Sequence, residues 1–217
     1  MRNTLVIVIV VVLFSIPSAS AQFLGQLSPA PTLHKGDALL GAYLGVYEDA
    51  FSLFGQVRYG IARYVDLGLK MGMINWSPGF GESNIGLTIG GDVKYWFMEQ
   101  RAGDPLDVSV GAGTEYLNVS DYSLFSLGGN VIASYQIEYS EAKSVTPYGR
   151  LNIRWERQSF KGSGSPPPGW KKGPRDDMGV ALALGAELKL PSGLFLVGEL
   201  EIDDNVGFVG GVNYSMF

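Results

Sequence analysis

The strongest constraint on this chain is a period-two alternation of residue character that restarts again and again. Leu67, Leu69, Met71 and Met73 alternate with Gly68, Lys70, Gly72 and Ile74. Ile85, Leu87, Ile89, Gly91, Val93, Tyr95 and Phe97 alternate with positions that include Gly90, Asp92 and Lys94. About ten such stretches follow one another. Successive side chains of a strand point to opposite faces. The pattern therefore predicts strands with one greasy face and one face of charges, glycines and amides.

The predicted strands are 38–47, 51–60, 64–76, 84–97, 106–117, 125–138, 147–159, 178–189, 194–203 and 205–217. Strands of soluble proteins commonly run to about five or six residues, whereas a tilted membrane-crossing strand needs about 9–11. Length and phase together predict an all-β fold, an antiparallel up-and-down transmembrane β-barrel of ten strands. Eight strands is the alternative, because 194–217 also reads as one irregular hairpin. Charged residues make up 17% of the 217-residue chain, against about 25% in soluble domains. That shortfall fits a large lipid-facing surface.

Phase assigns the faces. The predicted lipid face holds Val57, Tyr59, Leu67, Leu69, Met71, Val93, Tyr95, Val108, Val110, Leu127, Val131, Leu151, Ile153, Leu182, Leu184, Leu196 and Leu200, none of them charged. Arg157 is the charged residue on this phase, near a strand end where a long side chain reaches the headgroups. The opposite phase carries a mixed charge network: Arg58, Lys70, Asp92, Lys94, Glu115, Glu138, Arg150, Arg154, Glu156, Glu187, Glu199 and Glu201. Enclosed acids and bases are expected to neutralise one another, because an unpaired buried charge is costly. Tyr47, Trp76, Tyr116, Phe125 and Phe160 are expected to form one interfacial girdle, and Tyr59, Tyr64, Phe97, Tyr135 and Tyr139 the other.

The ends divide the chain further. Arg2, the apolar run Leu5–Phe14 and the small residues Ala19, Ser20 and Ala21 read as a secretory signal, 1–21, cleaved before Gln22. Residues 22–37 read as a polar, proline-containing periplasmic lead-in, and 38–217 as the barrel. With ten strands both ends lie in the periplasm. The stretch 160–177, with Pro166–Pro168 and several glycines, reads as the longest outer loop. Its Lys161, Lys171, Lys172, Arg175 and Trp170 suit lipopolysaccharide phosphates or a surface partner.

The chain holds no cysteine, which excludes disulfides, thiol catalysis and cysteine-held metal. Its single histidine, His34, lies in the lead-in, away from strand-borne partners, which argues against a His-based hydrolase. Glu199 and Glu201 share one face of one strand. They read as a lumen charge row facing Arg150, Arg154 or Lys189, in preference to a glycosidase pair or a calcium site. The formal net charge of −5 and the lack of a basic patch argue against nucleic acid. No cofactor is expected.

The signal through Ala21, the alternating strands, the hairpin-like segment Val57–Leu69 and the terminal Phe217 together resemble the small outer-membrane β-barrel proteins of Gram-negative-type bacteria. The resemblance implies outer-membrane lipid as the surroundings and the barrel-assembly machinery, reading Phe217, as a partner in biogenesis. The last strand departs from the pattern. Phe208, Gly210, Val212, Tyr214 and Met216 form the apolar series, one residue out of phase with Phe217, which a bulge near Ser215 would reconcile. The expected role is non-enzymatic, structural or through surface loops, with a small channel as the alternative.

Overall fold

The computed structural model describes residues 26–48, 50–76, 84–140, 143–161, 173–203 and 206–216. The signal, Phe217 and the interior of the longest loop, with Trp170, Lys171 and Lys172, lie outside them. The strands are β1 (Ala38–Tyr47), β2 (Ala50–Ala62), β3 (Val65–Trp76), β4 (Asn84–Met98), β5 (Asp107–Val119), β6 (Tyr122–Ser134), β7 (Ile137–Ser140), β8 (Lys143–Phe160), β9 (Gly173–Lys189), β10 (Leu194–Ile202) and β11 (Val206–Ser215). Each pairs antiparallel with its neighbours. Pairing of β1 with β11 and of β6 with β8 closes the sheet on itself. The result is a closed ten-stranded barrel, as the alternation predicts. Closure leaves the wall without edge strands and pairs the backbone groups that lipid cannot satisfy.

The short β7 is an appendage of this wall, fully exposed and paired only with the start of β8. The predicted strand 125–138 splits here for a local reason. Tyr135 and Gln136 fall opposite Thr146 and Pro147, between the last β6 pair, Ser134↔Tyr148, and the first β7 pair, Ile137↔Val145. Proline offers no N–H to a ladder. Its carbonyl still accepts from the Tyr135 N–H at 3.2 Å. Other boundaries move as well, with β5 running on to Val119 and β8 beginning at Lys143. A tight turn, with Ser120 at φ +51°, lets β6 begin at Tyr122. On the far side of the longest loop β9 begins at Gly173, so Arg175 lies on a strand.

The side chains invert the usual arrangement of a soluble protein. Ile85 is 71% exposed and Leu69 55%, whereas Arg58 and Arg150 are each 1% exposed and Glu199 is fully buried. The apolar band therefore faces outward and the charges face the axis, the division a bilayer demands. In β11 the register runs unbroken to Ser215, with no bulge, and Phe208, Val212, Tyr214 and Met216 point outward.

Tyr47 corrects the girdle expectation: it is buried inside the barrel together with Tyr43. Both faces of β1 are apolar, so phase alone does not choose between them. The choice is made by small neighbours. A Cβ at Gly207 would run into the Tyr47 ring and one at Gly211 into the Tyr43 ring. Glycine at these two places opens the space that the rings occupy.

Candidate functional site

Among the described residues, buried polar and charged side chains are concentrated in the lumen. At the end of the barrel where β1 begins and β11 ends (the terminal end), Arg58 of β2 bonds to Asp66 of β3 and, at 2.9 Å, to Asp92 of β4. Lys94 stands 3.7 Å from the other Asp66 oxygen. The register explains the cluster: Arg58 pairs with Gly68, Asp66 with Lys94 and Gly68 with Asp92 on adjoining strands. The glycine keeps the middle of the cluster free, since a Cβ there would lie 2.5 Å from an Asp92 oxygen and 2.7 Å from an Arg58 nitrogen.

Further along the axis Lys70 meets Glu115 at 2.8 Å, and the Thr88 hydroxyl donates to the same carboxylate at 3.2 Å. Arg150 spans Glu199 at 2.5 Å and Glu201 at 3.3 Å. Toward the opposite end Arg154 bonds Glu156 and, at 2.5 Å, Asp203. Every one of these ionisable side chains is at most a tenth exposed. Pairing is what makes such burial tolerable.

One residue of the predicted network falls elsewhere. Glu138 is on the exposed β7 and pairs with Arg101, with the two side chains 55% and 69% exposed. The break opposite Pro147 carries it out of the lumen. Glu187 faces inward at the terminal end, where it lines a cavity of about 230 Å³ with Lys94, Lys189, Thr146 and Arg58. Arg157, on the outer phase, stands 3.9 Å from Asp176. Arg175 is tied to Asp177 at 2.9 Å.

The largest difference from the sequence reading concerns the segment read as a lead-in. Residues Gln26–Leu33 lie inside the barrel. Leu27 and Ala30 are fully buried and Gln26 is 1% exposed. Leu27 packs with Tyr43, Tyr47, Phe54, Val197 and Val209, and Ala30 with Ile132 and Tyr148. The Lys94 ammonium donates to Ser28 Oγ at 3.0 Å and to the carbonyls of Pro29 and Pro31 at 2.9 Å each. The Gln56 amide donates to the Gln26 carbonyl at 3.1 Å. The Ala30 N–H donates to Ser134 Oγ at 3.1 Å and the Leu33 N–H to Asp66 at 3.2 Å. His34 sits at the mouth, its side chain 93% exposed, 3.6 Å from Asp37.

A sequence signal for this segment exists, though it is faint. Pro29 and Pro31 have no N–H, so the segment brings fewer donors that need partners inside the barrel. Asp66 and Asp203, also outside the predicted network, become partners through register: Asp66 stands opposite Lys94 on the adjoining strand, and Asp203 follows β10, two strands from Arg154 of β8. Phase is available for both: Asp66 shares that of Lys70, and Asp203 that of Glu199 and Glu201 at the end of the predicted strand 194–203, although in the structure β10 ends one residue before it.

The sequence matches no known protein-family model and no curated protein. Solved structures do resemble it. The β domain of the Bordetella autotransporter BrkA superposes with a TM-score of 0.51 at 14% identity, covering 84% of this chain and 100% of that one. The fold is that of an outer-membrane β-barrel. The N-terminal β-barrel domain of Pseudomonas aeruginosa OprF gives a TM-score of 0.38 at 13% identity, over 85% of this chain and 100% of its own. The KdgM porin gives 0.41 at 10%, over 82% and 99%. At such identities the likeness is one of fold.

Proposed function

We propose that this protein is an integral outer-membrane barrel, closed to solutes and without catalysis, that acts structurally or through its surface loops. The observation that carries the reading is the filled lumen: paired charges along the axis and the chain's own residues 26–33 in the terminal half. A ten-stranded barrel has an interior little wider than its own side chains need, and here charged groups and a backbone segment share it. In this reading the chain is exported by the signal 1–21, cleaved before Gln22. Both ends face the periplasm, and the barrel-assembly machinery reads Phe217. The far end, with Lys161, Lys171, Lys172 and Arg175 in or beside the longest loop, meets lipopolysaccharide phosphates or a surface partner.

The test is reconstitution of the refolded full-length mature chain in a planar bilayer, with heat-modifiable gel mobility as proof of folding. A folded barrel without conductance steps is the expected result. Reproducible steps of one size would overturn it in favour of a small solute channel.

A further inference from the structure

The segment Gln26–Leu33 is held in an unusual way for part of a core. Most of its polar contacts with the wall use its backbone: three carbonyls accept from Lys94 and Gln56, and two N–H groups donate to Ser134 and Asp66. The wall supplies complementary side chains and leaves room for the main chain. A Cβ at Gly60 would collide with the main-chain carbonyl of His34, just past the segment, and one at Gly111 with the side-chain amide of Gln26. That is how a groove recognises an extended peptide, with main-chain hydrogen bonds giving affinity and few side-chain pockets.

The fit is also incomplete. Both polar atoms of the Gln26 side chain, the Thr32 hydroxyl, Gln56 Oε1, and Nε and Nη1 of Arg58 are buried with no protein hydrogen-bond partner among the described residues. The cavity of about 230 Å³ opens between the segment and the wall, lined by Ser28, Pro29, Pro31 and Thr32 on one side. Leu27 and Ala30 are its only members in the apolar clusters. A well-made core leaves few buried polar groups unsatisfied and few voids. Elements that open before the rest of a protein share one trait with this segment, few buried apolar contacts.

We propose that Gln26–Leu33 is a displaceable plug, and that the groove it occupies in the terminal half of the lumen is a binding site for an extended, proline-containing polypeptide entering from that end. The chain's own segment is the resident occupant. A segment in trans competes for Lys94, Gln56, Ser134 and Asp66. The inference stands on the lumen geometry and does not depend on a surface-loop role.

The chain has no cysteine, so one introduced thiol is a background-free reporter. Ala30→Cys is placed in the refolded full-length mature protein and labelled with a bulky maleimide, while gel mobility confirms that the barrel stays folded. Labelling is expected well before the barrel unfolds. It should speed up by about tenfold or more with Leu33→Pro, which removes the N–H given to Asp66 and leaves every strand intact. A synthetic peptide of residues 22–34 in excess should have the same effect. An oxidised Ala30→Cys/Ser134→Cys pair should block peptide binding, and reduction should restore it. Labelling no faster than global unfolding in both single-thiol proteins would show a fixed core element and overturn the proposal. Acceleration by Leu33→Pro without any effect of the peptide would overturn the binding site. Conductance through the disulfide-locked barrel would instead refute the closed lumen and leave the plug untouched.

Discussion

Arg150 shows how the interior works at the scale of a residue. Its guanidinium is buried against Glu199 and Glu201, so it answers two acids at once. Arg150→Met removes the cation and leaves both carboxylates enclosed, which should cost roughly 3–5 kcal/mol. Urea titration of the refolded barrel measures it, and Glu199→Gln with Glu201→Gln in the same chain should recover much of the loss. The wall's two faces give a second contrast. Leu69→Arg puts a charge into lipid, at about 2–4 kcal/mol near the midplane, and should reduce membrane folding outright. Lys70→Leu leaves the barrel able to insert but strands Glu115, whose partner it is at 2.8 Å. Lys70→Met with Glu115→Gln should lie closer to the wild type than Lys70→Leu does. Folding yield in vesicles separates these outcomes, and equal yields for Leu69→Arg and Lys70→Leu would reverse the face assignment.

At the scale of an element, small residues decide where large ones go. The Tyr47 ring occupies the space beside Gly207. Gly207→Ala should therefore destabilise the barrel by about 1–3 kcal/mol through overpacking, and by much less in a Tyr47→Ala background. A double-mutant cycle on denaturation midpoints reads the difference. Exposure separates β7 from β6 just as clearly. Tyr139 is 72% exposed and outside the paired residues of β7, so Tyr139→Pro should leave folding unchanged. Val131→Pro falls where β6 is paired on both sides, and should prevent closure. Gel mobility distinguishes the two. The position of β7 was hidden in the sequence because Pro147 sits on a different predicted strand from the residues it interrupts. The charges of β8 and β10 were visible because alternation holds there, and the buried side of a strand is fixed once its phase is known.

At the scale of the whole molecule, the terminal half of the lumen is filled by residues 26–33 and the remainder by ion pairs. A chain lacking residues 22–34 should still close its ten strands, since wall pairing does not use the segment. It should remain silent in planar bilayers, because Lys70–Glu115, Arg150–Glu199 and Arg154–Asp203 still fill the interior. Sustained conductance after this deletion would show that the segment alone seals the barrel. The sequence by itself determined the wall: strands long enough for a bilayer, an uncharged face and a charged face, while the choice of ten strands over eight came from the closing pairs of β1 with β11 and β6 with β8. It could do so because lipid on one side and an enclosed space on the other impose opposite demands on alternate residues, and period two records both. The occupants of the lumen were decided only by tertiary structure. Phase tells a side chain that it points inward, but which acid meets which base depends on register and closure. Tyr47 turns inward because glycines on a neighbouring strand make room for it. An irregular segment with two prolines carries no periodicity at all, so its place inside the barrel follows only from the lysine, the carboxylate and the glycines that closure gathers around it.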